Sequence, residues 1–265
     1  MDLGIAGRVA LVVGGSQGVG REVASQLAAE GARVAIVART RSTVDEAVRA
    51  ILDKGGAAMG IAADMSDEPT VRRTVAQIAE TWQAPHIAVG QIKYNEPGDF
   101  DDIVEYERYV DAFRAYTMSQ IYLLHALLPG MADAGWGRFV HIGSATAKEP
   151  VGSIHHAVAN ATRPSTAGLL KTVADEYAGR GVTVNTVACG WIETEGAIAY
   201  MNAQIGVASK QERRDWIINN GGVPAGRLGQ PSEIASLITY LCSDQAGYIN
   251  GAWIEVDGGH HRSAM

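Results

Sequence analysis

The chain has 265 residues, 47% of them hydrophobic and 19% charged, with a formal net charge of −7. This length suits one large α/β domain or at most two small ones, and the acidic balance excludes a phosphate-backbone partner such as nucleic acid. The two cysteines, Cys189 and Cys242, lack metal or CxxC spacing and suit a reducing cytoplasm, while no apolar run of about 18 residues marks a membrane span or a leader.

In chain order, RVALVV (8–13) is a buried apolar run, followed by a glycine loop and a helix over 18–30 that ends at Gly31. The loop, within VVGGSQGVGREVA (12–24), sets Gly14, Gly18 and Gly20 in a G-x-x-x-G-x-G array after a strand and ahead of a helix. Glycines let such a turn tighten and let a pyrophosphate approach the backbone, and the helix N-terminus supplies unpaired N–H groups. Outside a strand–helix setting the same pattern is a plain tight turn.

RVAIVA (33–38) predicts a second strand, ending at Ala38 where a ribose-binding carboxylate is expected. Arg39 and Arg41 follow instead. Guanidinium groups suit a 2′-phosphate, which points to NADP(H) rather than NAD(H), unless Arg39 is merely solvated. A helix over 43–54, a strand over 56–63 and a helix over 67–82 come next. Asp64, at the third strand's end, either reaches an adenine amine or caps the next helix, a role Asp67 fills better.

IAVG (87–90) and GRFVHIG (137–143) are the fourth and fifth strands, VTVNTVA (182–188) is the sixth, and GAWIEVDGG (251–259) holds a seventh. Helices are expected near 103–130, 164–179 and 231–243, with Pro164 marking the start of the regular helix there. The segment 194–222 reads as a helical substrate cap with Ile198, Tyr200, Met201, Ile205 and Trp216 as an apolar lining, or as an ordinary surface helix pair. KQERRDW (210–216) mixes both charge signs and reads as a solvated helix face. Short doubly apolar strands alternating with amphipathic helices predict a single domain over 1–265: an α/β, doubly wound parallel sheet of seven strands, the Rossmann architecture.

The glycine array at 14–20 together with LLPGMADAGWGRFVHIGS (127–144), EYAGRGVTVNTVACGWIETE (176–195), RLGQPSEIASLITYLCSD (227–244) and YINGAWIEVDGG (248–259) resembles the short-chain dehydrogenase/reductase family over essentially the whole chain. The resemblance implies strand order 3-2-1-4-5-6-7, a dinucleotide across the strands' carboxyl ends, and a homodimer or homotetramer. It implies dinucleotide contacts at Gly14, Ser16, Gln17, Gly18, Val19 and Gly20, at Arg39, Asp64, Met65 and Gly90, and at Gly190, Ile192 and Thr194.

The family's Asn, Ser, Tyr, Lys tetrad carries over only in part. Its serine matches Ser144. Gap-free counting from Asn185 puts the tyrosine position on Ala159 and the lysine position on Arg163; counting from Pro129 puts the asparagine on Tyr116. Gly90, Gln91 and Ile92 stand where the family has Asn-Ala-Gly, and Cys189-Gly190 where it has Pro-Gly. KEP (148–150) beside the lost tyrosine resembles an atypical subgroup that includes reductases of unsaturated intermediates in bacterial specialised biosynthesis.

Candidates for the missing acid follow. Tyr116 either donates a proton or is a core tyrosine with a satisfied hydroxyl. One of His155 and His156 can face the site, or each is a surface or capping residue. Arg163 is permanently charged and holds a ribose or an oxyanion; Ser144 donates to a substrate oxygen or ends its strand. His260 and His261 find no third ligand at metal spacing, so no metal is expected. A positioned acid is worth about 10²–10⁴ in rate. Hydride delivery to a conjugated C=C forms an enolate, far less basic than the alkoxide from a ketone, so losing the tyrosine tilts the expectation toward ene reduction of a small organic substrate. Ketone reduction, a non-redox isomerase or cyclase, and a cofactor-binding scaffold remain the other readings.

Overall fold

Alternation of side chains along short apolar strands settles the layering. In the first strand, β1 (Val9–Val13), Ala10 and Val12 point to one face of the sheet, while Val9, Leu11 and Val13 point to the other. Both faces therefore need cover, which helices supply. The computed structural model describes residues 2–90, 97–150 and 156–263.

The strands β2 (Arg33–Ala38), β3 (Ala57–Ala62), β4 (Ile87–Gly90), β5 (Gly137–Ser144), β6 (Val182–Cys189) and β7 (Trp253–Val256) join β1 in one sheet, ordered β3-β2-β1-β4-β5-β6-β7. Every pairing is parallel. Helices α1 (Gly18–Ala29) and α2 (Arg41–Leu52) follow β1 and β2, and α3 (Glu68–Thr81) follows β3. Next come α4 (Tyr106–Phe113), α5 (Ser119–Asp133), α6 (Ala157–Tyr177), α7 (Glu195–Tyr200), α8 (Lys210–Asn219) and α9 (Pro231–Leu241). On one face Val23 and Leu27 of α1 and Ile234 and Ile238 of α9 pack over Val12, Ile36, Val140 and Val187. On the other, Val71 and Ile78 of α3, Leu123 and Leu127 of α5 and Leu170 of α6 pack over Leu11, Val37, Phe139 and Val184. Each fully buried Leu or Ile contributes about 1.5–3 kcal/mol. No helix is long and apolar enough to cross a membrane among the described residues.

Two helices depart from the sequence expectation. The stretch foreseen as one helix over 103–130 is α4, a π-helical turn at Arg114–Met118, then α5. The helix expected to begin near 164 begins at Ala157 and carries Pro164 inside it. Interior proline costs about 3 kcal/mol, but here packing wins. Val158, Ala159 and Thr162 are buried, and the Ala157 N–H donates to the Gly98 carbonyl at 3.2 Å. Hydroxyls also serve this turn: Thr162 Oγ1 donates to the Val158 carbonyl at 2.8 Å and Ser165 Oγ to the Thr162 carbonyl at 2.6 Å. Arg163 therefore lies within one helix that runs from Ala157 to Tyr177.

Candidate active site

The strand order reverses between β1 and β4, and at the strands' carboxyl ends there lies a cleft of about 500 Å³. Gly14, Ser16, Gln17, Gly18, Val19 and Gly20 all line it. Gly14 and Gly18 hold φ of 73° and 52°, in the left-handed region that favours glycine. A Cβ on Gly20 would sit 2.3 Å from the Gly14 carbonyl oxygen, so the loop can fold onto α1 only without one. Gln17 precedes α1 without a side-chain cap, and the first turn holds no acid. A helix N-terminus left uncapped at a cleft fits an anion, and the tight cradle fits the pyrophosphate of a dinucleotide.

Arg39 lines the same cleft beside Ala38 and Thr40, whereas Arg41 is tied to Asp45 at 3.0 Å. Asp64 and Met65 line it too; Asp64 Oδ1 accepts from the Ser66 N–H at 3.0 Å and its hydroxyl at 2.8 Å. The cap of α3 is Asp67, which accepts from the Thr70 N–H at 3.0 Å. Gly190, Ile192 and Thr194 close the far wall, Thr194 capping α7 by accepting from the Ala197 N–H at 3.2 Å. Gly90 departs from expectation. It is buried between Val13 of β1 and His141 of β5, with Val13 Cβ 3.0 Å from where a Cβ would stand, and is not on the cleft wall. Gln91, Ile92 and His155 lie outside the described residues. Burial pushes the Cys189 thiol up to about 12, so this cleft residue is a neutral thiol rather than a nucleophile.

Beyond the glycine loop the cleft reaches a polar cluster. Arg163 Nη1 donates to Thr146 Oγ1 at 2.9 Å and to Ser144 Oγ at 3.5 Å, and Nη2 donates to Tyr116 Oη at 3.2 Å. Ser144 and Thr146 hydroxyls lie 3.1 Å apart. The π-helical turn presents Tyr116, and α6 holds that turn: Thr166 Oγ1 donates to the Tyr116 carbonyl at 3.2 Å, and the Thr117 and Ser165 hydroxyls meet at 2.6 Å. Ala159 shares a small apolar cluster with Tyr116, Ile103, Ala112 and Val158, so the position matched to the family's tyrosine is buried packing.

On the opposite side, His156 precedes α6 and its ring lies 5.0 Å from that of Tyr200; Trp191 lies 6.2 Å from Tyr200 and 5.2 Å from Trp216. His156, Trp191 and Tyr200 line the cleft. The expected cap lining is corrected: Met201, Ile205 and Trp216 form a separate apolar cluster with Ile217 and Val223, Ile198 is half-buried, and only Tyr200 of the five faces the cleft. Packing of the segment 194–222 onto itself consumes those side chains.

The tail is the other surprise. His260 and His261 both line the cleft. His261 Nε2 meets the Ala145 carbonyl at 2.9 Å and Nδ1 meets Asp257 Oδ2 at 2.6 Å. Burial opposes the Asp257 carboxylate, but hydrogen bonds from the His261 ring and from the N–H groups of His261 and Gly259 win, holding its carboxyl below the usual range. Burial lowers His260 as well. Glu255, Asp257 and His261 lie at a spacing that can hold a metal, in a group that leaves out His260. Present partners already account for the three: Asp257 for His261, and Lys148 for Glu255 at 3.1 Å.

Thr146, Trp191, His260 and His261 were not foreseen as site residues. Thr146 was within reach of reasoning, two residues past a strand-end serine. His261 was not, since 116 residues separate it from Ala145. A fixed cation flanked by two hydroxyls and a phenol can stabilise negative charge developing on a substrate oxygen.

A family model described as enoyl-(acyl carrier protein) reductase matches residues 13–261. The chain is 33% identical over 257 residues to the 3-oxoacyl-(acyl-carrier-protein) reductase FabG of Vibrio cholerae, covering 97% of this chain and 98% of that one. L-sorbose reductase from Gluconobacter frateurii, solved with NADPH and L-sorbose, superposes with a TM-score of 0.90 at 27% identity, over 99% of this chain and 100% of its own. A short chain oxidoreductase from Pseudomonas aeruginosa PAO1, NADPH-bound and described as containing an atypical catalytic center, superposes with a TM-score of 0.89 at 27% identity, over 97% and 98%.

Proposed function

The chain belongs to the short-chain dehydrogenase/reductase family, and from that premise we propose that it is an NADPH-dependent reductase of a small organic substrate whose reducible group is a C=C bond conjugated to a carbonyl. The observation that carries this reading is the Arg163 cluster, a permanent cation with Ser144, Thr146 and Tyr116 around it at the end of a dinucleotide-sized cleft. NADPH, when bound, supplies the hydride. Gly14, Gly18 and Gly20 with the α1 N-terminus hold its pyrophosphate, Arg39 its 2′-phosphate, and Ile192 and Thr194 its nicotinamide end.

The chain's own residues then manage an oxyanion. Ser144 donates to the substrate oxygen, and Arg163 lowers the energy of the enolate as its charge develops. An enolate needs no strong acid at that oxygen, because the proton that completes the reduction is taken up at the α-carbon from solvent; this suits a site with Ala159 at the position matched to the family's tyrosine. Trp191 and Tyr200 give the substrate an apolar wall, and His156 closes its edge. A place in specialised biosynthesis and a homodimeric or homotetrameric state belong to the same reading.

A second reading rests on one observation: Tyr116 Oη lies in the cluster, 3.2 Å from Arg163, so a phenol beside a cation is supplied from the π-helical turn instead of α6. With Tyr116 as acid, a simple ketone is reducible too. Stopped-flow oxidation of NADPH with matched enones and ketones decides between them. On the first reading Tyr116→Phe leaves enone turnover within about threefold while Arg163→Ala lowers it about 10²-fold or more. A loss of about 10²–10⁴ in ketone turnover on Tyr116→Phe, with enones unreactive throughout, gives the second.

A further inference from the structure

Behind the Arg163 cluster, between α6 and the sheet, lies a second cavity of only about 10 Å³, lined by Tyr116, Ser144, His141, Arg163, Thr166 and Trp253 among others. Among the described residues, three that line it each carry a buried side-chain atom with no hydrogen-bond partner: His141 Nδ1, Trp253 Nε1 and Arg163 Nε. They come from β5, β7 and α6 respectively. Buried polar atoms are almost always satisfied, and three on the lining of one small space form a pattern rather than scattered exceptions.

Their chemistry narrows the occupant. Trp253 Nε1–H and Arg163 Nε–H can only donate. His141 is 7% exposed, and burial holds it down to about 4 against the opposing pull of a hydrogen bond to the Gly90 backbone; the ring is neutral, and we assign it the tautomer in which the unpartnered Nδ1 accepts. The occupant must accept twice and donate at least once. A metal cation cannot accept, a halide cannot donate, and the space is too small for an oxyanion. A space of about 10–15 Å³ with two to four polar partners is what a single water requires.

We propose that one internal water is held at this point, accepting from Trp253 and Arg163 and donating to His141, and that it sets the plane of the Arg163 guanidinium. Guanidinium is rigid and planar, so anchoring Nε from behind fixes the directions of Nη1 and Nη2, which reach Thr146 and Tyr116 in front. His141 and Trp253 are thus positioning residues for the oxyanion site; that consequence rests on the role given to Arg163 above, whereas the water does not.

A crystal structure of the full chain at about 1.5–1.8 Å tests it directly. The expected result is one ordered water within about 3.2 Å of all three atoms. Trp253→Phe, which removes a single N–H, is expected to lose or disorder that water and to lower turnover about 3–10-fold with KM for NADPH unchanged. Water ¹⁷O relaxation dispersion should count one fewer long-lived internal water in the variant. No water in the wild-type density, or the three atoms paired with protein groups, overturns the proposal; so does an undisturbed water with full activity in Trp253→Phe. A water present beside an Arg163 that proves idle in turnover refutes the earlier reading and leaves this one standing.

Discussion

Arg163, which the sequence count matched to the family's lysine position, contacts three oxygens in front. A lysine shares one ammonium among such partners; a guanidinium offers separate N–H groups at fixed angles, so this position trades proton exchange for direction. Arg39 makes the same choice at the other end of the cleft. Arg41 is occupied by Asp45, which leaves Arg39 as the cleft-lining guanidinium after β2. Arg39→Ala is therefore expected to weaken NADPH binding by about 10–100-fold and NADH by less than about threefold, measured by fluorescence titration of each. Equal losses for the two would remove the 2′-phosphate from its account. Both arginines were legible as residue types in sequence, because Ala38 lacks the usual carboxylate and Arg163 falls on a family position. Their partners were not, since Thr146 and Tyr116 reach Arg163 only through the packing of separate elements.

Among elements, α6 and the π-helical turn carry the departure from expectation. Local propensity placed a helix start at Pro164, and burial of Val158, Ala159 and Thr162 moved it back to Ala157. Proline leaves the Asn160 carbonyl without its helical donor. Pro164→Ala supplies that N–H and is expected to raise Tm by about 2–6 °C, read by calorimetry, with cofactor affinity unchanged. A lower Tm would mean that the proline's restriction of the unfolded chain matters more than the missing bond. The strands were legible to within a residue or two, because a doubly buried strand is written as an uninterrupted apolar run. The π-helical turn has no such signature: one extra residue in a helix leaves the hydrophobic period almost intact, and its hydroxyl ties to α6 come from residues 48 to 50 positions away.

For the molecule as a whole, acid is the revealing stress. Unfolded, His141 takes up a proton near its ordinary 6.5, while in the fold burial delays this until about 4. The folded state thus binds fewer protons than the unfolded between those values, and stability is full above pH 6.5 and falls through the window by about 3 kcal/mol. Urea unfolding at pH 7 and pH 4.5 should show this loss, and His141→Gln should flatten it; an unchanged slope in the variant would assign acid sensitivity elsewhere. The seven strands were readable as local apolar runs and the cofactor cleft from one glycine loop, while their order in the sheet came from the family resemblance. The contact between His261 and Ala145 on the cleft was not readable, because it joins the tail to the middle of the chain. On a translating ribosome that junction has a temporal meaning. The first three strands can emerge and pair early, but the Ala145 carbonyl waits for His261 until 116 more residues have left the exit tunnel. A nascent chain therefore holds its glycine loop and Arg39 well before it holds Ile192, Thr194 and the wall that His261 completes.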